Sequence, residues 1–431
     1  MKNILIAIRS IFKKGRHNVM KIVSLGIGLA VGLVLIAKVY FEQSYDDFYP
    51  DRDRVYQVWA KYQQNGGELK DYPQTSGGIA PTMQQQIPEI ETVTRYTSFG
   101  DWTFTMTDTK MKYSGRCIIA DSCFFDILPR PMLIGNAKEV LSTPMYVLIS
   151  SRIAKNIGGD VIGKNFTVDS SPGRTMTIGG VFEEVPENSH SRYDVIVSMA
   201  SAGRFMWEGS PTNMLGNDRY ISYVKLHKGV NPLALEEQVH TFVNSYFPPE
   251  EQQKTGFNIG FSFHELDGLH KELPQVKRMT WILSLLAFAL IFTAVMNYIL
   301  IVISSIVNRS KEVAVHKCYG ASENNIHGMM FGEALVHIVL SLILALLLIL
   351  AFRGTVEELL ATSLDSLLLS NGSLVLLGIC ILVFFVSGFM PGSLYARIPV
   401  ASAFRNYREN KRIWKKALLL VQFVATGFLV T

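Results

Sequence analysis

Two uncharged apolar runs decide what this chain can fold into. No Asp, Glu, Lys or Arg occurs from Met279 to Asn308, and none from Ala334 to Phe352. Roughly 20 apolar residues in a helix cross the hydrocarbon core of a bilayer, and a lipid-facing segment must satisfy its own backbone hydrogen bonds. Each run therefore predicts a transmembrane helix. Between them lies NRSKEVAVHKCYGASENNIHGMMFGE, residues 308–333, with Arg309, Lys311, His316 and Lys317 set against Glu312. Short basic segments beside spans stay in the cytoplasm, which orients both runs. Gly320 can take the left-handed conformation that stops a helix, and Ser322 can N-cap the next one with Glu323 at its positive end. Residues 308–326 thus predict a short cytoplasmic helix, a turn and re-entry, with Glu333 at the membrane interface.

The remaining apolar runs complete a topology. Residues 1–21 carry Lys2, Arg9, Lys13, Lys14, Arg16 and Lys21, with Ile4, Leu5, Ile8, Ile11 and Phe12 on one helical face. They read as an amphipathic helix on the cytoplasmic surface. Residues 22–41 read as an uncleaved first span with Lys38 snorkelling at its far end, and Gly28 and Gly32 give a weak GxxxG packing signal. The second span is placed at 279–307, the third at 327–352 and the fourth at 372–395, kinked or ended near Pro391. A short outside loop occupies 353–371. A basic cytoplasmic segment, 396–416, holds Arg397, Arg405, Arg408, Lys411, Arg412, Lys415 and Lys416. Residues 417–431 are apolar but too short to span, and read as the start of a fifth helix.

Residues 42–278 form the one large hydrophilic region, long enough for a core of its own. Trp102, Phe104 and Met106 alternate with Thr103, Thr105 and Thr107, the pattern of a half-buried strand, and 112–119 closes a hairpin with it. Leu235, Val239, Phe242 and Tyr246 mark an amphipathic helix over 231–246, and His264 to Lys277 reads as a helix interrupted near Pro274. The fold class is a multi-pass α-helical membrane protein with a large inserted α+β periplasmic domain, with a division into two lobes left open.

Several chemistries fall away. The net charge of +5 on 431 residues is concentrated beside the apolar runs, where it reports topology, and no basic face with interleaved aromatics speaks for nucleic acid. Four cysteines make no disulfide framework; Cys117 and Cys123 leave a bridge open, with two free thiols the preferred reading. No Cys/His cluster has metal-ligand spacing, and no cofactor is expected. Gly158 to Asn165 nearly matches a P-loop but lacks the Ser/Thr that holds magnesium, and the following Phe-Thr-Val predicts a strand where a helix N-terminus is required. In Pro186-Glu187-Asn188-Ser189-His190 a histidine stands beside Asn, Ser and Glu, but no nucleophile with an orienting partner is evident, so this stretch and Asp126 read as turns.

The wording of 309–334 resembles FtsX/MacB-type ABC transporter permeases: Arg309-x-Lys-Glu-Val-Ala-Val-x-Lys-x-x-Gly-Ala-Ser, then Ile326, Phe331 and Glu333-Ala334. SYDDFYPDRDRVYQV at 44–58, ADSCFFDILPRPMLIGNAKEVL at 120–141, IGGVFEEVPENSHSRYD at 178–194 and ARIPVASAFRN at 396–406 extend the likeness to long permeases of Bacteroidetes-like Gram-negative bacteria. Some of these repeat the whole unit, so the chain reads as the first half of such a permease. The resemblance implies a non-enzymatic inner-membrane subunit in which Arg309, Lys311, Glu312, Val313, Ala314, His316, Lys317, Gly320, Ala321 and Ser322 press on a separate ABC ATPase. Its motion would pass to the periplasmic domain for export or release of a peptide, drug or lipoprotein-like substrate. Implied partners are that ATPase, a second permease copy or half, the bilayer, and periplasmic or outer-membrane components. Activation of a periplasmic cell-wall hydrolase, as in the division branch, is the alternative. A membrane-bound ligand sensor is disfavoured because the longest cytoplasmic segment is about twenty residues, too short for an output domain.

Overall fold

The computed structural model describes residues 17–171, 173–216, 218–368, 372–396 and positions 420, 423 and 427, the side chains of 233–234, 306–309 and 390–396 excepted. The amphipathic helix expected over 1–21 falls outside the described residues up to residue 16. So do the basic segment 396–416 and the apolar 417–431, apart from Ala396 and the three isolated positions. The chain divides into two units, Met1–Gln43 with Pro274–Thr431, and Ser44–Leu273.

Three helices of the first unit are long and apolar enough to cross a membrane: Asn18–Gln43, Pro274–Ser304 and Glu323–Ala351. A further helix, Ser373–Ala396, continues past Pro391, and its apolar stretch, Ser373–Phe389, is shorter than those three. Apolar side chains, leucine and valine among them, make up most of all four and need no polar partner. The first helix is smooth on two sides. A Cβ built on Gly32 would stand 2.4 Å from Ile291 of the second helix, and one on Gly26 would stand 2.9 Å from Leu344 of the third. Such close backbone approach is what small residues allow between apolar helices. Leu25, Leu29, Leu33, Ile299, Ile303, Met330 and Ile338 fill the shared core.

Polar groups are buried in this unit where the sequence placed them at its edges. Lys21 lies in the first turn of the Asn18–Gln43 helix with 0% exposure. Its ammonium donates to Asn18 Oδ1 at 3.1 Å and stands 3.9 Å from Glu333 Oε1. Glu333 is itself buried among the helices, with only 7% of it accessible. One and two turns on, His337 Nδ1 lies 3.2 Å from the Tyr298 hydroxyl, and Ser341 Oγ donates to the Ile22 carbonyl at 3.1 Å. Lys38 does not snorkel; it pairs with Glu42 at 2.6 Å and donates to Thr362 Oγ1 at 2.8 Å. Buried charges persist where such partners replace water. The expected loop at 353–371 instead contains two short helices, Arg353–Leu360 and Leu364–Leu368, joined through Ala361 at φ 49°.

The Ser44–Leu273 unit is β-rich. Its strands are β1 (Val55–Gln64), β2 (Lys70–Tyr72), β3 (Ile90–Met106), β4 (Lys112–Ala120), β5 (Met132–Ile134), β6 (Tyr146–Ser150), β7 (Asn165–Val168), β8 (Thr175–Phe182), β9 (Val195–Ser198), β10 (Ile221–Leu226) and β11 (Phe257–Glu265). One sheet runs β11-β1-β10-β3-β4-β9-β6-β8-β5, with β2 on β1 and β7 bridging β3 and β8. Pairing is antiparallel except for β4 with β9 and β6 with β8. β3 pairs β10, β4 and β7 along its 17 residues, bending at a bulge where Gly100 takes φ 72°. Trp102, Phe104 and Met106 point into one core, as their alternation predicts. Helices Ile79–Gln86 and Glu236–Tyr246 pack Ile79, Met83, Val239 and Phe242 on Val58, Val93 and Val224.

The helix expected over His264 to Lys277 is not formed. His264 lies in β11 opposite Gln57, a four-residue turn of helix covers Gly268–Lys271, and Pro274 opens the second long helix. Two rules outweigh the polar composition of that window. Ile259, Phe261 and Phe263 carry period-two alternation up to it, and proline is favoured at the first helical position because its missing N–H is not needed there.

Candidate functional site

The second long helix stops at Ser304 and a new helix, Ile306–Cys318, starts one residue later. The stop has a local cause. Ser304 Oγ donates to the Ile301 carbonyl at 2.8 Å and Ser305 Oγ to the Val302 carbonyl at 2.6 Å, back-bonds that compete with the backbone ladder and bend helices. Ser310, Val313 and Ala314 turn inward, the latter two at 1% exposure, within the core shared with Ile326 and Met330. Lys311, Val315 and His316 face out, and Glu312 and Lys317 are half-buried. The side chain of Arg309 lies outside the described ones.

The helix ends in a Schellman motif. Gly320 takes φ 87°, its N–H donates to the Lys317 carbonyl at 3.0 Å, and the Ala321 N–H donates to the His316 carbonyl at 3.0 Å. Ser322 then caps the third long helix, its Oγ accepting from the Asn325 N–H at 3.3 Å, with Glu323 in the first turn. His316 and Lys317 in the last turn of one helix and Glu323 in the first turn of the next each complement the helix dipole they meet. The turn itself is open: Tyr319 is 89% exposed, and Cys318, Gly320 and Ser322 to Asn325 are exposed beside it.

Of the ten residues nominated from sequence for contact with a partner, Lys311, His316, Gly320 and Ser322 are exposed. Glu312, Lys317 and Ala321 are half-buried. Val313 and Ala314 face the core of their own unit and cannot be read by a partner groove. Val315 and Tyr319 were not nominated, since an apolar side chain in a basic loop carries no signal until the inward face is known.

The nucleotide-like stretch behaves otherwise. Gly158 ends the helix Ser151–Ile157 at φ 76°, Gly163 takes φ 75°, and β7 begins at Asn165. Lys164 lies 3.9 Å from Asp108, and the segment that follows it is a strand rather than a helix. Cys117 and Cys123 are free thiols, and burial holds both above their ordinary pKa. Among the described residues no group of three His, Cys, Asp or Glu is arranged to hold a metal ion.

The stretch 186–190 is more than a turn. His190 Nδ1 lies 2.7 Å from the Asp46 carboxylate, and its Nε2 meets the Tyr223 hydroxyl. Tyr223 and Asp46 are wholly buried, and His190 between them is partly buried.

The family model for the FtsX-like permease C-terminal region matches residues 284–400, which include the whole turn. A crystal structure of a domain assigned to a permease protein from Porphyromonas gingivalis is 33% identical over 50% of this chain and 91% of that one, with a TM-score of 0.46. The periplasmic region of MacB from Actinobacillus actinomycetemcomitans is 16% identical over 48% of this chain and 87% of that one, TM-score 0.33. The extracellular domain of the noncanonic ABC-type transporter YknZ from Gram-positive bacteria is 10% identical over 48% and 98%, TM-score 0.34. No curated protein matches the chain.

Proposed function

The chain belongs to the FtsX-like permease family, and from that premise we propose that it is the membrane subunit of an ABC system whose ATP is hydrolysed by a separate subunit. In this reading the four long helices cross the inner membrane and 396–416 lies in the cytoplasm with the 308–326 turn. The Ser44–Leu273 domain stands in the periplasm, and two permease copies or halves pair around the ATPase dimer. ATP-driven closure of that dimer moves the helices and, through them, the periplasmic domain, which acts on a peptide, drug or lipoprotein-like substrate.

The observation that carries the reading is the Ile306–Cys318 helix and its cap. One face is packed into the helical unit by Val313 and Ala314, and the other presents Lys311, Val315, His316 and Tyr319 outward. A helix fixed on one side and open on the other transmits a push without bending, and an exposed cationic face with one aromatic anchor is what an acidic groove recognises. The Schellman turn ties that helix rigidly to the third long one, so a push on Tyr319 reaches a second span.

Co-purification from native membranes tests this. Lys311→Glu with His316→Glu is expected to lose the ATPase while the chain still inserts and melts as wild type. Ala314→Glu is expected to lose it only by damaging the permease, seen as a lowered melting midpoint. Wild-type ATPase recovery with the charge-reversed face would sink the proposal.

A further inference from the structure

We propose that Asp46 and His190 form a lock at the root of the Ser44–Leu273 domain, holding the incoming chain, the outgoing chain and the sheet as one piece, so that motion of the helices is delivered to the sheet. The inference rests on the mechanical reading above and adds the residues that carry it inside the domain.

Asp46 is three residues past the end of the first long helix and is wholly buried at φ 60°, a left-handed conformation that aspartate tolerates better than most residues. Its N–H donates to the Asn188 carbonyl at 2.9 Å. Its carboxylate accepts from Ser189 Oγ at 3.1 Å, from the His190 N–H at 3.3 Å and from His190 Nδ1 at 2.7 Å. Asn188 Nδ2 returns two bonds to Ser44, at 2.7 Å to the carbonyl and 3.2 Å to Oγ. On the other side of the ring, Nε2 meets the Tyr223 hydroxyl. Burial holds that phenol protonated, well above its ordinary pKa. Tyr223 belongs to β10, and the neighbouring Ser191 bonds the Tyr96 hydroxyl of β3 at 2.5 Å. The incoming segment is thus tied to the two central strands through a row of fully satisfied polar groups.

The outgoing segment joins the same root. Tyr45 stacks on His270 with ring centroids 3.4 Å apart and 9° between planes. Lys271 bridges Asp47 at 2.7 Å and Asp267 at 2.8 Å, and Arg52 bridges the same two carboxylates at 3.0 and 3.1 Å. Surface ion pairs contribute little singly, but here four charges share one network beside a buried hub. The row reads as structural, since Asp46 and Tyr223 are wholly buried and the polar atoms of all three residues are engaged with one another and with the 188–190 segment. A buried polar network that is fully satisfied rigidifies its surroundings.

The test uses the full chain in nanodiscs with the ATPase that co-purifies. Spin labels stand at Gly66→Cys and native Cys318, with Cys123 and Cys380 changed to serine. Hydrogen exchange of 186–192 and 266–271 is measured in parallel. In wild type the label distance is expected to shift with ATP. Asp46→Asn and His190→Gln are expected to abolish the shift while ATP hydrolysis continues, and to speed exchange at both segments together by about tenfold. Arg95→Gln breaks a partly buried pair elsewhere in the domain, Arg95 with Asp121, and is expected to keep the shift despite a lower melting midpoint. Should the first two variants fail to fold, Tyr223→Phe, which removes only the hydroxyl, takes their place. A retained shift in the lock variants overturns the proposal, as does exchange that rises at 186–192 alone. If wild type shows no ATP-dependent shift, the mechanical reading of the whole chain fails, and the exchange arm alone decides whether the root is one locked piece.

Discussion

A Cβ built on Gly28 would stand 2.2 Å from the Cβ of Ala294. The first and second long helices therefore meet backbone to side chain, with no room for a methyl group. The expected outcome of Gly28→Val is a membrane unit that packs wrongly, with a loss of about 1–3 kcal/mol or more from overpacking, read as a lowered melting midpoint in detergent. Gly378→Val, at a position with nothing within 4 Å of the added carbon, serves as control and is expected to melt near wild type.

Gly320 fixes the turn between the outward-facing helix and the third long helix. A β-branched residue at φ 87° costs about 1–2 kcal/mol or more. Gly320→Val is expected to insert normally and to stimulate the partner ATPase less than wild type, and Gly320→Asn to retain most of the stimulation, since asparagine tolerates the left-handed region. Equal stimulation by glycine and valine forms would show that the turn does not set the helix direction.

Orientation can be read with a native probe. Cys318 is exposed in the turn, whereas Cys117 is buried and Cys123 and Cys380 are half-buried. Maleimide is expected to reach Cys318 only after permeabilisation, and a cysteine placed at Gly66 without it. Labelling of Cys318 in intact cells would reverse the topology.

The stretch from Gly158 to Lys164 leads into a strand, so Lys164→Ala is expected to leave the chain as unreactive toward nucleotide as wild type. Equilibrium binding with a fluorescent ATP analogue checks this, and binding that disappears with Lys164→Ala would contradict it.

Acid should weaken the Ser44–Leu273 domain through a defined pair of carboxylates. The Lys225 ammonium, with Arg54 beside it, holds Asp51 below its ordinary pKa, and Arg54 does the same for Glu91. Both are depressed in the folded state, so the stability they lend is present above their unfolded values of 3.8 and 4.5 and is lost as pH falls through the folded ones. Asp121 works in the opposite direction, because burial raises it against the pull of Arg95. Lys225→Met is expected to flatten the fall in melting midpoint below about pH 4, measured by tryptophan fluorescence of the solubilised chain. An unchanged slope would remove this cluster from the account of acid sensitivity.

What could be read in the sequence was local. The stop at Gly320, the cap at Ser322 and the strand at 102–106 depend on neighbours within a few residues, and their geometry follows from residue type. The inward turn of Val313 and Ala314 was not legible, because in a 13-residue helix the charges at Lys311 and Lys317 fall on either side of the apolar pair. The approach of Glu333 to Lys21 was not legible either, because Lys21 lies 312 positions earlier in a segment assigned to the surface. The same distance problem hid Asp46 from His190: each sits in a distinctive phrase, and only the folded sheet sets the phrases side by side.

The stacking of Tyr45 on His270 has a consequence for how such chains diversify. The two ends of a 230-residue domain emerge within one ring diameter of each other. A module whose termini meet can be inserted between two helices, or exchanged for a larger or smaller one, without changing the separation those helices must keep. A chain built this way can exchange the inserted module while the helices on either side of it keep their own sequence and packing.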